Sequence, residues 1–195
     1  KNMTGGRIYA HSLRKVFDKY ADGDVVWDEI PFERKITHER IALMDPTSNM
    51  TIDFTSKELG EAGSDSYSVL RAPFDAWMAE LCEKVGCEII AGIGVEELVK
   101  DDSGAVIGIK AGDDEITSQV VILAEGVNSL LAERSLGVPR PNRNEMAVGI
   151  KELFELPART IEDRFLTPEG EGAAMLFVGD CTHGSVGGGF LYTNK

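Results

Sequence analysis

The chain has no apolar run near the roughly 18 residues that cross a bilayer. Its first stretch, KNMTGGRIYAHSL, holds no signal-peptide core. A membrane-spanning or secreted character has no support here, whereas a purely interfacial contact stays open. Cysteine is scarce: three residues, an odd number at no framework-like spacing, which fits a reducing, cytoplasmic setting. Positive charge is in the minority, with 20 Lys and Arg against 33 Asp and Glu and a net charge of −13. Nucleic-acid binding and broad adhesion to anionic membranes need clustered cations, so neither is expected. The three histidines have no partner identifiable from spacing. Cys181 and His183 stand beside Asp180, but a metal centre takes about three or four ligands and no second cluster exists, so no metal site is expected. Repeats and low-complexity tracts are absent. The chain also begins without Met and stops at GGGFLYTNK, inside a strand pattern. It is expected to be an internal piece of a longer protein.

What is present is an ordinary globular composition, 43% apolar and 27% charged, able to bury a core. Ser12 is placed to cap a short helix carrying Leu13, Val16, Phe17 and Tyr20 on one face and ended by ADGD. Phe32 to Arg40 alternates, as do Met50, Ile52 and Phe54 after the turn-like DPTSN, which predicts a hairpin. KELGEAGSDS reads as a polar loop, and Tyr67 to Leu70 as a strand leading into a helix, RAPFDAWMAELCEKVG. In that helix Pro73 suits the first turn, Asp75 complements the positive dipole end, and Gly86 suits the position past the end. Phe74, Trp77, Met78, Leu81, Cys82 and Val85 form its apolar stripe. Then follow a strand at Cys87 to Ile90, an antiparallel ribbon from Val95 to Ala111 turned at DDSG, and a strand at Val120 to Ala124. From Met146 alternation returns in MAVGIKELFEL, AAMLFVGD and GGGFLYTN, around a helical piece at TIEDRF. These strands are expected to be antiparallel and to join the 26–66 segment in one sheet that the α/β part interrupts.

The stretch ITSQVVILAEGVNSLLAERSLG, Ile116 to Gly137, combines an apolar strand, a glycine and a helix opening near Asn128 and Ser129. A strand that ends in a tight turn into a helix brings backbone close to a ligand. It is also an ordinary βα connection, and spacing alone does not separate the two. Cys82 and Cys87 read as core residues; His11, His38 and His183 as structural or exposed; DDSG, GDDE and the surroundings of Glu169 and Glu171 as solvated turns.

The order of parts from SYSVLRAPFDAWMAELCEKVG to the LAEGVNSLLAERSLG segment resembles the FAD-binding core of glutathione-reductase-type flavoproteins. That group includes the aromatic hydroxylases, geranylgeranyl reductases and electron-transfer flavoprotein:quinone oxidoreductases. KNMTGGRIYAHSL, PFERKIT, LRAPFDAWM, AVGIKELFELP, IEDRF and GGGFLYTNK, in that order, are similar to the FixC-type flavoproteins. The resemblance covers essentially the whole chain. It implies an α/β (α+β mixture) fold: a partial, Rossmann-like FAD/NAD(P)-binding domain at 67–145, an antiparallel β-sheet substrate or quinone-side domain at 26–66 and 146–195, and a flavin-proximal loop and helix at 1–25.

By the same resemblance Ala124, Glu125 and Gly126 occupy the family's second cofactor motif, where a side chain at 126 collides with FAD or the turn. Ser129 caps the next helix. Arg71 stands where relatives place an arginine that reaches the pyrophosphate, a role suited to a planar, permanently charged guanidinium; a surface arginine at a helix start is the plain alternative. Gly5 and Gly6 fall in a loop near the flavin ring, or equally in a loose tail. Gly187 to Gly189 belong to the sheet facing the flavin pocket, or to a simple glycine bulge.

A G-x-G-x-x-G strand-turn-helix, which holds the pyrophosphate in complete enzymes of this type, is missing from the sequence. The polypeptide alone is therefore expected to bind FAD weakly or not at all. The resemblance implies, for the full-length protein, an FAD-dependent oxidoreductase that passes electrons from an electron-transfer flavoprotein to quinone or a ferredoxin-like protein, with peripheral contact at the inner membrane left open. No side-chain acid or base is needed, because the redox chemistry is the cofactor's. Two alternatives are a geranylgeranyl-reductase-like or flavin hydroxylase-like enzyme and a non-catalytic, cofactor-free module.

Overall fold

The computed structural model describes residues 5–21, 23 and 25–195; of the first-stretch motif, Lys1 to Thr4 lie outside the described residues, as do Asp22 and Asp24 of the ADGD helix stop. The chain forms an α/β mixture in two compact units, residues 1–88 with 150–195, and residues 89–149.

The first unit is built on a six-stranded mixed sheet. Its strands are β1 (Gly5–Tyr9), β2 (Lys35–Met44), β3 (Asn49–Thr55), β4 (Ser66–Leu70), β8 (Glu171–Gly179) and β9 (Gly188–Tyr192). The order is β1-β4-β2-β8-β9, with β3 paired to β2. The β2/β3 hairpin appears as the alternation predicts, closed by Asp45, whose carboxylate accepts from the backbone N–H groups of Thr47 and Ser48. The two β-rich flanks do share one sheet, but they meet through a parallel pair, β2 with β8, rather than the all-antiparallel arrangement expected. Alternation reports which face is buried and carries no information on partner direction.

Helices α1 (His11–Tyr20) and α2 (Arg71–Lys84) contribute to the hydrophobic core together with β4. Phe32 stacks on Tyr67 at 4.2 Å, Phe74 lies 6.0 Å from Phe32, and Trp77 meets Phe17 edge-on at 5.8 Å. Phe17, Phe74 and Leu81 are buried as their helical spacing predicts, whereas Val16, Tyr20 and Val85 stay exposed. Ser12 does not cap α1. The cap position is Ala10, without a side-chain bond, and the Ala10 N–H instead donates to the Asp65 carbonyl at 2.8 Å. The loop before β4 is not fully solvated either: Asp65 and Ser66 have no exposed surface. The Asp65 carboxylate takes two bonds from Arg14, at 2.6 and 3.0 Å, and Arg14 in turn lies 3.5 Å over the Trp27 ring. That contact holds Asp65 below the usual carboxylate range.

Arg34, just before β2, is buried and donates to the Asn194 and Glu171 carbonyls and to Glu162 of α4 (Ala158–Phe165). His38 is structural: Nδ1 faces the Phe165 carbonyl at 2.8 Å and Nε2 faces Asp53 at 2.7 Å. Glu171, expected in a solvated turn, accepts the Thr37 hydroxyl at 2.5 Å.

The second unit holds a three-stranded antiparallel sheet, β5 (Glu97–Lys100), β6 (Val106–Ala111) and β7 (Asp114–Thr117), and helix α3 (Leu130–Leu136). The ribbon and its DDSG turn are as predicted; β7 was not anticipated. Three expected strands do not form: Cys87 to Ile90, Val120 to Ala124 and Met146 to Leu156 have no strand partner. A strand exists only where neighbouring backbone groups complete its hydrogen bonds. These segments run unpaired, with Ile122 84% and Ile150 96% exposed. Cys87, expected in the core, is exposed.

Candidate functional site

The sequence-derived site residues divide between the two units, Gly5, Gly6 and Arg71 in the first and Ala124, Glu125, Gly126 and Ser129 in the second.

In the first unit, antiparallel pairing of β1 with β4 sets Gly5 opposite Leu70. The glycine pair and Arg71 are thereby brought to one end of the sheet. Gly5 and Gly6 are strand residues, not a loop, and Gly6 runs at φ +151, a conformation that L side chains rarely adopt. The need for glycine at position 5 is steric. A Cβ there would lie 2.6 Å from the Val69 carbonyl oxygen, 3.0 Å from Lys151 Nζ and 3.1 Å from Tyr192 Oη. Arg71 opens α2 and spends its guanidinium on Asp75 at 2.6 and 2.9 Å, with its side chain 48% exposed. Asp75 therefore pairs with Arg71 instead of lying against the dipole end, as the sequence suggested. A phosphate at Arg71 would compete with that pair.

Gly188 is likewise crowded, since a Cβ on it would meet the Phe177 carbonyl oxygen at 2.5 Å. It lies in β9 and not in a turn bulge.

In the second unit, residues Val120 to Glu125 line an open cleft of about 550 Å³ with Val95, Ile109, Ile116 and Leu131. Gly126 follows with φ +69 and nothing within 4 Å of an added Cβ. Its requirement is the left-handed backbone conformation, not contact with another part of the chain. Ser129 holds the cap position of α3 at φ 44 and makes no side-chain cap bond, which corrects the expectation for it. Glu125 does that work: its carboxylate accepts the N–H of Leu131 at 2.7 Å and of Ala132 at 3.0 Å. An acidic side chain reaching a helix N-terminus satisfies orphan donors and complements the dipole.

Sequence reasoning missed the outer face of the large sheet and the side chains at its end. Strand register places Ile52, Ile41, Leu176 and Phe190 in one row, and Phe54, Glu39, Ala174 and Tyr192 in the next. The face is apolar yet open to solvent, with Ile52 58% and Phe190 71% exposed. Glu39 is ion-paired with Arg7, which also donates to Ser66 Oγ at 2.7 Å. The alternation of Met50, Ile52 and Phe54 was a usable signal for the face; nothing local points to Lys151. No group of His, Cys, Asp and Glu suited to a metal ion occurs among the described residues. Among them, too, no helix is long and apolar enough to cross a membrane.

A bound FAD needs room for a flat ring, partners for its carbonyl oxygens and cations for its phosphates. The Tyr192 hydroxyl, buried without a hydrogen-bond partner, and the Lys151 ammonium are donors of the second kind, but they pack against Gly5 with no room for an added Cβ. Arg71, the candidate for the third, is bonded to Asp75.

No family model matches the chain. Along all 195 residues it is 50% identical to protein FixC of Salmonella typhi and 48% identical to protein FixC of Escherichia coli K12. It is 44% identical to the probable electron transfer flavoprotein-quinone oxidoreductase YdiS of Escherichia coli K12 over 196 aligned residues. In each case it spans 44% of the relative's length, so it corresponds to less than half of those proteins. The chain is FixC-like throughout, as the six sequence strings implied.

Proposed function

We propose that this FixC-like chain is part of an FAD-dependent oxidoreductase that takes electrons from an electron-transfer flavoprotein and passes them to a quinone or a ferredoxin-like protein. The observation that carries the reading is the similarity to FixC proteins along all 195 residues, together with that to YdiS, a probable electron transfer flavoprotein-quinone oxidoreductase of Escherichia coli K12. FAD supplies the electron-carrying chemistry when bound. The chain's residues then bind and orient it. Within the second unit Gly126 turns the backbone and Glu125 fixes α3 behind that turn; within the first, Arg71 at the start of α2 would offer a bidentate cation to a phosphate, and the Gly5–Gly6 strand end is the segment assigned to the flavin side. In this reading 67–145 is the cofactor-binding part, 26–66 and 146–195 form the substrate side, and the protein works in the cytoplasm or at the inner-membrane surface.

The test uses the full-length, flavin-loaded protein in anaerobic stopped-flow. Bleaching of the flavin band by a reduced electron-transfer flavoprotein, and not by NADH or NADPH, is the expected outcome. Rapid bleaching by NAD(P)H alone would instead favour a reductase or hydroxylase of the same superfamily and sink the electron-transfer assignment.

A further inference from the structure

The C-terminal end of α2 brings two of the three cysteines together. Val85 closes the helix, Gly86 follows in the left-handed region at φ +95, and the Gly86 N–H donates to the Glu83 carbonyl at 3.0 Å. The Cys87 N–H donates back to the Cys82 carbonyl, also at 3.0 Å. These two bonds are the Schellman ending, in which the side chains three positions before and two positions after the capping residue regularly meet. Here both of those positions are cysteine. The 3.0 Å bond and ordinary backbone bond lengths hold the two Cα atoms within about 7 Å of each other, and disulfides span Cα separations of about 4.4–6.8 Å. Both thiols are free, Cys87 exposed and Cys82 half-buried. Cys181, the third, is exposed in the Asp180–Thr182 turn and has no cysteine near it in the sequence.

We propose that Cys82 and Cys87 are a reversible redox pair, closed to a disulfide by reaction with a low-molecular-weight disulfide. The exposed Cys87 thiolate attacks one sulfur of the small disulfide. A mixed disulfide forms as the small S–S bond breaks, and the departing thiolate takes up the proton that Cys87 lost. The Cys82 thiolate then attacks the Cys87 sulfur and expels the second small thiol. Two protein thiols are oxidised to one disulfide while the small disulfide is reduced to two thiols. Exposure assigns the order, because an accessible attacking thiol beside a resolving one is the arrangement that oxidises reversibly. Gly86 supplies the geometry, since its left-handed turn is what folds Cys87 back over the last turn of the helix. The closed form ties that turn to the point where the chain leaves the first unit's 1–88 segment, and a reducing compartment reopens it. The pair lies at the opposite end of α2 from Arg71 and does not depend on the flavoprotein reading.

The experiment equilibrates the full-length protein with oxidised and reduced glutathione at several ratios, blocks the remaining thiols by alkylation, and maps a non-reducing tryptic digest by mass spectrometry. Trypsin cuts after Arg71, Lys84 and Lys100, so the two cysteines fall on separate peptides, residues 72–84 and 85–100. Wild type is expected to yield these as one linked species that dithiothreitol separates, while Cys181 carries glutathione. In Cys82→Ser the resolving thiol is gone, and Cys87 should keep its glutathione adduct. Gly86→Val, which holds φ +95 poorly, should lower the yield of the link about tenfold while Cys87 still takes up glutathione. Wild-type Cys87 that carries glutathione without linking to Cys82 overturns the proposal, as does a Cys87 that fails to react while Cys181 does. A link that forms equally well in Gly86→Val overturns it too, because the helix ending would then not be what joins the pair.

Discussion

Replacing Glu125 by alanine removes both acceptors from the first turn of α3, the N–H groups of Leu131 and Ala132 at 2.7 and 3.0 Å. Loss of a good N-cap costs about 1 kcal/mol, and loss of a carboxylate near the dipole adds about 0.3–1 kcal/mol. Because Leu131 is the buried anchor of this helix, fraying of the first turn also loosens its packing, so about 2 kcal/mol is expected. Native-state hydrogen exchange reads this directly. The Leu131 and Ala132 amides should exchange about 30-fold faster in Glu125→Ala, with Glu125→Gln intermediate. Ser129→Ala is the control: its hydroxyl makes no cap bond, and the change should stay within about 0.5 kcal/mol. If Ser129→Ala accelerates those amides and Glu125→Ala leaves them alone, the capping assignment is wrong and the acidic residue of the motif has another task.

Asp65→Asn keeps a residue that tolerates the left-handed backbone at φ 47 but removes the charge facing Arg14. The Asp65 carboxyl is held below its ordinary value, chiefly by the Arg14 hydrogen bonds. Its contribution is thus present above the unfolded value of about 3.9 and lost as pH falls through the lower folded value. Urea titrations should show wild type losing its advantage over Asp65→Asn below about pH 4; parallel curves from pH 7 to pH 2 would count against the ion pair. Gly172→Ala puts a Cβ 2.6 Å from Thr193 Oγ1 and 2.9 Å from the Arg34 Cβ, and should cost about 1–3 kcal/mol by overpacking, seen as a lower urea midpoint. Gly126→Ala meets no neighbour but must adopt φ +69, so a loss of about 1–2 kcal/mol is expected; no loss would show that the turn relaxes freely.

Elements whose signal is local were legible in the sequence. The β2/β3 hairpin announced itself by alternation around DPTSN, and α2 by its Phe74 and Leu81 spacing with Gly86 behind it. What escaped depends on long-range pairing. The parallel β2–β8 ladder joins residues such as Ile41 and Leu176, and Arg14 meets Asp65 across 51 positions. Apolar pattern made strands of Val120 to Ala124 and Met146 to Leu156, but pattern does not supply the partner a strand requires. The site behaved alike. The Ala124-Glu125-Gly126 order was visible, but the cap fell to Glu125, six positions before Leu131, where the nearer serine has the more familiar capping chemistry. Lys151 sits in an unpaired segment with no periodicity to mark it, and only the approach of β1 to β9 around Gly5 reveals it.

The most direct measurement is the chromophore content of the purified full-length protein, by denaturing it, collecting what is released and weighing it by mass spectrometry. One FAD per chain is the outcome expected of a FixC-like oxidoreductase. A colourless protein that releases no flavin, and takes up none on incubation with FAD, would contradict it.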